Sequence, residues 1–381
     1  MKYFDVIILG CGASGAMCAL TAKSGSVAMI DCCGKFAKKI LATGNGRCNL
    51  TNLNMYSSFF NHNIDKFLSK FGATDTLHFF ENLGLEWFAD DEKRVYPISN
   101  SAKSVVDVLN LGLDKDISLF LDEKIEKISC KGNGYCVKTS KDEYECLKLV
   151  VATGGNSTNL LENLNVEIAN ASPSLVSLKA NVSKELNGVR ISNVVVTATN
   201  FDGKSKSEVG EVLFRENGLS GIVVFNLSTL FSRGHNFCGK ISIDLLPEIP
   251  YEILFEKLKK RRGLNVKVDK FFVGVFQNVV ADEIFKRSHI DTNKFVNKMT
   301  DIELKELANI IKNLNFDVLG CGENNQVFSG GVKLSCLDEN LMSLNHKNLF
   351  FCGEIVDVDG VCGGYNLQWA WTSGRIVGER L

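Results

Sequence analysis

The chain opens on an apolar run, Asp5-Val6-Ile7-Ile8-Leu9, that ends in Gly10-Cys11-Gly12-Ala13-Ser14-Gly15. An apolar run without polar alternation is the pattern of a strand buried on both faces of a parallel sheet. The small-residue stretch from Ala16 to Lys23 reads as a helix, and Val27-Ala28-Met29-Ile30 as a second strand ending at Asp31. Strand, G-x-G-x-x-G, helix, strand and acid together form the dinucleotide fingerprint in its proper context. Gly10 permits a tight turn, Gly12 lets backbone approach a diphosphate, and Gly15 lets helix and strand pack closely. The helix start at Ala13 and Ser14 then turns unsatisfied N–H groups and a positive dipole end toward phosphate. Asp31, with Cys32 beside it, stands where a carboxylate binds ribose hydroxyls. This arrangement constrains the fold strongly, yet by itself it does not separate NAD, FAD and S-adenosylmethionine.

Two later segments narrow the choice. Leu149-Val150-Val151-Ala152-Thr153-Gly154-Gly155 is a buried strand entering a small-residue turn, where backbone can touch a bulky ligand. Near the C-terminus, Phe350-Phe351-Cys352-Gly353-Glu354 is followed by Asp357, Asp359 and then Gly363-Gly364-Tyr365-Asn366-Leu367-Gln368 at the start of a terminal helix. In flavoproteins with a two-dinucleotide fold, a strand near the C-terminus ends in Gly-Asp or Gly-Glu. Its carboxylate binds the ribityl chain, and the next helix aims its N-terminus at the flavin ring. FAD is therefore the expected cofactor. A second strand-GxGxxG-helix unit is not visible, so NAD(P)H is a candidate reductant without a dedicated domain.

With these residues in view, the sequence resembles the BaiN/YhiN-like flavoproteins, a bacterial group of FAD-dependent oxidoreductases that includes proteins labelled aminoacetone oxidases. Lys38-Lys39-Ile40-Leu41-Ala42-Thr43-Gly44-Asn45-Gly46-Arg47-Cys48-Asn49-Leu50-Thr51-Asn52 resembles the family's KxLxxGxGRCNxTN box. Gly330-Gly331-Val332 is similar to its GGV element, and the run from Gly353 to Ala370 matches its C-terminal box nearly letter for letter. Val361 stands where the family usually has Pro or Ala. The Gly-Asp-Gly segment that commonly follows the Ala-Thr-Gly-Gly turn is missing. The resemblance implies cofactor contacts from Lys39, Thr43, Gly44, Gly46, Arg47, Cys48 and Asn49. It implies further contacts from Ala152, Thr153, Gly154, Gly155, Gly353, Glu354, Asp359 and the Gly364 to Gln368 run. Read from residue types alone, the Gly44-Asn45-Gly46-Arg47 loop offers N–H groups beside a guanidinium, which suits a diphosphate or a flavin carbonyl edge.

Between the two glycine-rich ends the pattern changes, at about Ser172-Pro173. Val194 to Thr199, Glu211 to Phe214 and Lys240 to Leu245 read as antiparallel strands. Tyr251 to Arg262 reads as a helix. A second helix opens with the capping box Thr300-Asp301-Ile302-Glu303 and carries Leu304, Leu307, Ile311 and Leu314 along one face. The expected fold class is α/β. A Rossmann-like two-dinucleotide-binding FAD domain is built from residues 1–174 and 322–381. An insertion at 175–321, β-barrel-like over 175–250 and helical over 251–318, is expected to pack over the flavin.

Charge and cysteine usage set the remaining bounds. Lys and Arg number 43 against 44 Asp and Glu, so the basic excess of a nucleic-acid binder is absent and no nucleic-acid partner is expected. The Lys257, Lys259, Lys260, Arg261, Arg262 cluster alternates with Leu254, Phe255 and Leu258 and reads as a solvated helix face. The 13 cysteines are odd in number and contain no C-x-x-C, which argues against a zinc site or disulfide framework and for reduced thiols in the cytoplasm. Asp5 interrupts the first apolar run too early for a signal sequence, and no apolar stretch is long enough to span a bilayer. Cys48 and Cys362 read as small packing residues rather than a redox pair. Neither a Ser-His-Asp constellation nor a catalytic acid or base is legible. The expected activity is hydride exchange between bound flavin and a small organic substrate, and no particular substrate or oligomeric state follows. A flavin-dependent RNA-modifying enzyme and a non-catalytic flavin redox sensor are the alternatives.

Overall fold

The computed structural model describes residues 2–23, 25–323 and 326–381. The chain divides into two compact units, residues 1–172 with 326–381, and residues 173–325.

In the first unit a parallel sheet runs in the order Ser118–Phe120, Val27–Ile30, Lys2–Leu9, Glu143–Val151. The long strand Glu143–Val151 pairs with the first strand along its whole length, from Lys2↔Tyr144 to Leu9↔Val151. Its other side is shared end to end. The antiparallel hairpin Ile125–Lys131 and Gly134–Thr139 takes the beginning, and Leu349–Phe351 lies parallel to the last three residues. The apolar runs read as doubly buried strands are so: Val6, Ile7, Ile8, Leu9, Leu149, Val150 and Val151 have no exposed surface. The expected Rossmann-type α/β body made from both chain ends is present. The carboxyl ends of its parallel strands, at Leu9, Ile30, Phe120, Val151 and Phe351, lie on one edge, where open α/β sheets bind ligands.

The first helix, Ala13–Thr21, and the terminal helix, Tyr365–Gly378, pack against each other over one face of that sheet. Small residues permit the close approach. A Cβ on Gly374 would be driven into the Ser14 carbonyl oxygen, and one on Gly378 into the Thr21 hydroxyl. A three-stranded antiparallel sheet of Thr51–Asn52, Arg94–Pro97 and Trp87–Ala89 and the helix Ala102–Gly112 complete this side. That helix, with Val105 and Leu109 buried, was not anticipated, because its apolar positions are interleaved with Lys103, Ser104 and Asn110.

The second unit is built on a closed six-stranded barrel. All its pairings are antiparallel, in the order Leu178–Ala180, Gly218–Ser220, Ser205–Arg215, Arg190–Asn200, Gly239–Asp244, Leu314–Cys321 and back to the first. Alternation fills it: Val194, Val196, Ala198, Ile241, Ile243 and Phe316 point inward. The helices Ile222–Arg233, Tyr251–Arg261, Asn278–Ser288 and Asp301–Lys312 belong to the same unit. The capping box at Thr300 and Glu303 forms as expected. Leu314, however, does not continue that helix. The backbone leaves helical geometry at Asn313, and Leu314 begins a strand that pairs with Gly239–Asp244 and closes the barrel. A period of seven from Leu304 to Ile311 does not distinguish another helical turn from an inward-facing strand residue. Ser177 and Gly322, at the two ends of this unit, are joined by a 2.7 Å backbone hydrogen bond.

Candidate functional site

Each glycine of the first loop meets a different physical demand. Gly10 holds φ +99° and lies so close to Ala152 that a Cβ would strike its carbonyl oxygen. Gly15 is pressed against the Gly10 carbonyl, as tight helix–strand packing requires. At Gly12 an added Cβ would meet no heavy atom within 4 Å. The open side of the loop is therefore at the N-cap of the first helix. No side chain caps that helix and no acidic residue occupies its first turn. The first-turn N–H groups lack intrahelical partners by construction, and this geometry attracts a phosphate. Ala13 contributes backbone only. The hydroxyl of Ser14 is turned inward and donates to the Cys352 carbonyl at 3.4 Å, tying the loop to the end of the C-terminal strand.

Asp31 closes the far end of this groove. Its Oδ2 accepts the Cys11 N–H and its Oδ1 the Cys33 N–H, both at 2.7 Å. Two backbone donors thus fix the carboxylate's orientation, and each oxygen keeps a second lone pair for a ligand hydroxyl. Cys32 is exposed beside it. The role of Cys33 in positioning Asp31 has no signature in residue types, because it acts through its backbone.

Glu354 follows the C-terminal strand and sits over the Ala152–Gly155 turn, with its Oε2 3.7 Å from the Cβ position of Gly154. Lys39 reaches it from the central box (Nζ to Oε2, 2.7 Å), and the Phe328 N–H donates to Oε1 at 2.6 Å. The structure thus brings together four distant sequence segments: residue 39, the Gly154 turn, Phe328 and Glu354. Ala152 is itself buried, with its N–H bonded to the Leu9 carbonyl at 2.7 Å, while Thr153 accepts from the Ser157 hydroxyl. Gly353 donates to the Ser373 hydroxyl and accepts from the Trp369 indole, which anchors the terminal helix to the strand end.

The central box is a kinked 3-10 segment, Lys38–Gly46, with Gly44 and Asn45 in the left-handed region. Gly46 is also left-handed, with open space around it. Thr43 spends its hydroxyl on the Ile40 carbonyl, 2.7 Å away. Arg47 lays its guanidinium on the Tyr96 ring, 4.3 Å from the centroid. This cation–π platform holds an exposed cation in place, and Tyr96 was not foreseen. Cys48 has no exposed surface, and burial pushes its thiol up to about 12. It packs with Ala16, Met17 and Trp371. A cofactor contact through Cys48 is corrected: its side chain is core.

Asn49 and Thr51 tie the central box to the C-terminal one. With its amide oriented to satisfy both neighbours, Asn49 accepts the Gly364 N–H and donates to the Thr51 carbonyl, both at 3.0 Å. Thr51 donates to Gln368 Oε1 at 2.6 Å, and Gln368 Nε2 donates to Thr76 and Thr372. Gln368 is fully buried, so the expectation of a cofactor contact through its side chain is also corrected. It is the hub of an interior hydroxyl network. Tyr365 stacks its ring on Phe59 (4.6 Å), and Asn366 clasps the Gly360 N–H and carbonyl. Asp359 is buried, with its backbone bonded in both directions to Asn61. Leu367 packs toward the core beside Trp371. These side chains shape the loop and leave the terminal helix start, which no side chain caps, as the feature that can face a ligand.

The residues fit a flavin adenine dinucleotide: an uncapped helix over an open glycine, an oriented carboxylate for ribose, and a second uncapped helix whose start lies beyond the first, beside Thr51. Comparison with known proteins agrees with this architecture. Residues 4–380 match the model of the HI0933-like protein Rossmann domain. The 3-dehydro-bile acid delta(4,6)-reductase of Clostridium scindens is 29% identical, over 98% of this chain and 97% of that protein. The ribosomal RNA dihydrouridine synthase of Escherichia coli is also 29% identical, over 100% of this chain and 98% of that protein. Among solved structures, a 3-ketosteroid delta1-dehydrogenase from Sterolibacterium denitrificans shares the fold at 11% identity, with a TM-score of 0.51 and coverage of 100% and 99%. No described helix is long and apolar enough to cross a membrane. The chain belongs to the HI0933-like Rossmann-domain family, a family of FAD-dependent oxidoreductases.

Proposed function

We propose that this protein is an FAD-dependent reductase of carbon–carbon double bonds conjugated to a carbonyl, acting on a small organic molecule in the cytoplasm, with NAD(P)H as reductant. The observation that carries the reading is a pair of parallel, uncapped helices on one sheet, with Asp31 and Glu354 at the strand ends. Gly374 abuts Ser14 and Gly378 abuts Thr21, so the terminal helix begins about 14 Å beyond the start of the first. When bound, the flavin supplies hydride transfer. Residues 1–174 and 322–381 would form the cofactor body and 175–321 the insertion. The first-turn N–H groups after Gly12 would hold the diphosphate, Asp31 the adenosine ribose, and Glu354 with Lys39 the ribityl and phosphate region. The N–H groups following Gly364 would stabilise negative charge at the ring's pyrimidine end.

The bond type comes from two relatives whose names share a chemistry. One reduces a 3-dehydro-bile acid at its delta(4,6) unsaturation, and the other makes dihydrouridine from a base whose double bond adjoins a carbonyl. The second name also favours a second reading, reduction of uridine in RNA. The test is anaerobic oxidation of the NADH- or NADPH-reduced protein by conjugated cyclic ketones and, separately, by uridine-containing ribosomal RNA. Mass spectrometry would follow the gain of two hydrogens. Saturation of the ketones supports the proposal, and saturation of RNA alone replaces it with the second reading. Reoxidation by neither removes both.

A further inference from the structure

The adenosine-ribose end of the groove is lined with sulfur, which ribose recognition does not require. Asp31, Cys32 and Cys33 each place a ligand atom within 4.8 Å of the other two. Cys32 is exposed and Cys33 half-buried, so the cluster opens to solvent. Two thiols and a carboxylate converging at a solvent-open position are a donor geometry that suits a divalent cation.

We infer that Asp31, Cys32 and Cys33 form a binding site for a thiophilic d10 divalent cation such as Zn2+, and that its occupation excludes the cofactor's adenosine ribose. Two thiolates and a carboxylate are an ordinary donor set for that ion, with water as the fourth ligand. Each cysteine that ligates releases its proton to solvent, so binding strengthens as pH rises. The antagonism follows from the lone pairs. Each Asp31 oxygen already accepts one N–H, so the metal and the ribose hydroxyls compete for what remains. This second half rests on the proposed role of Asp31 toward FAD, whereas the metal site itself does not. The vicinal pair escaped the search for C-x-x-C spacing because an immediate neighbour, not a residue three positions on, supplies the second sulfur.

The experiment uses the full chain stripped of flavin, titrated with Cd2+ and Zn2+ in the absence and presence of FAD. One tight equivalent of Cd2+ is expected, with a sulfur-to-cadmium charge-transfer band and release of protons. One bound equivalent should weaken FAD at least roughly tenfold, the effect of losing a single charge-assisted hydrogen bond. Cys33→Ser keeps the backbone N–H to Asp31 and should abolish both the tight equivalent and its effect on FAD. A Cys130→Ser/Cys238→Ser double variant, which removes two other exposed thiols, should change neither. An unaltered cadmium band in Cys33→Ser, or FAD affinity indifferent to saturating metal, overturns the inference. Failure of the metal-free chain to bind FAD at all would overturn the cofactor reading instead, and the cadmium titration would still decide the metal site.

Discussion

Gly12 and Gly15 look equivalent in the fingerprint, yet the structure assigns them opposite roles. Gly12→Ala adds a methyl group to open space, so the protein should keep its melting temperature within about a degree of the native value, a surface-like change. FAD affinity, measured by fluorescence titration, should nevertheless fall sharply. Gly15→Ala drives a methyl group into the Gly10 carbonyl and should depress the melting temperature whether or not FAD is present. Equal effects of the two substitutions on stability would show that the groove is not where the backbone places it. Asp31→Ala removes the oriented carboxylate and should weaken FAD by about 1.5–3 kcal/mol, roughly ten- to a hundredfold. Gln368→Leu behaves differently, because its amide serves Thr51, Thr76 and Thr372 in the interior. The loss should appear as stability, about 1–3 kcal/mol for an orphaned buried hydroxyl. If it changed the flavin spectrum but not the melting temperature, the buried network would be wrong.

At the scale of elements, the contact between the first helix and the second half of the terminal helix decides how far apart the two N-termini stand. Gly374→Val should separate them at a cost of at least about 1–3 kcal/mol from overpacking, seen as a lower urea midpoint. Gly364 is less useful as a probe of the cofactor than its place in the C-terminal box suggests. A Cβ there lies 2.5 Å from the Thr51 carbonyl oxygen, so a larger residue disrupts the protein itself. A pH effect belongs at the entry to the second strand. There the Ser26 N–H and hydroxyl hold the Asp5 carboxyl below its ordinary value, the backbone bond contributing most. A depressed folded-state value adds stability above the unfolded carboxylate pKa and loses it as pH falls through the folded one. Asp5→Asn should therefore be destabilising at neutral pH, and its melting temperature should begin to approach the native one only as pH falls below about 4. A difference that is constant across pH removes the charge from the account.

For the whole molecule, the two units have separate hydrophobic cores, and the barrel's chain ends are bonded together between Ser177 and Gly322. Residues 173–325 expressed alone should unfold cooperatively in urea and bind no FAD. A chain nicked near residue 325 should keep residues 326–381 attached in a native gel, because Leu349–Phe351 is a buried strand paired with Glu143–Val151 in the first unit's sheet. Release of that fragment would remove the discontinuous architecture.

The fingerprint, the doubly buried strands and the C-terminal box were legible because each is local. Glycines at fixed spacing, unbroken apolar runs and the alternation of Val194 to Thr199 are consequences of backbone sterics and burial within a few residues. The sequence by itself therefore determined the fold class, the cofactor type and the identity of Asp31 as an acid at a strand end. What the tertiary structure alone decided is where side chains point. Cys48 and Gln368 sit in the boxes that resemble the family, yet they face the core because the helix and sheet packed against them leave no surface. Leu314 lies in phase with a helix, yet pairing with Ile243 makes it a strand residue. Tyr96, Phe328 and Cys33 reach the site from distant or featureless segments, through a ring face and two backbone N–H groups. Such contacts leave no pattern in a chain, because a ring face or an N–H becomes specific only when folding brings its partner within reach.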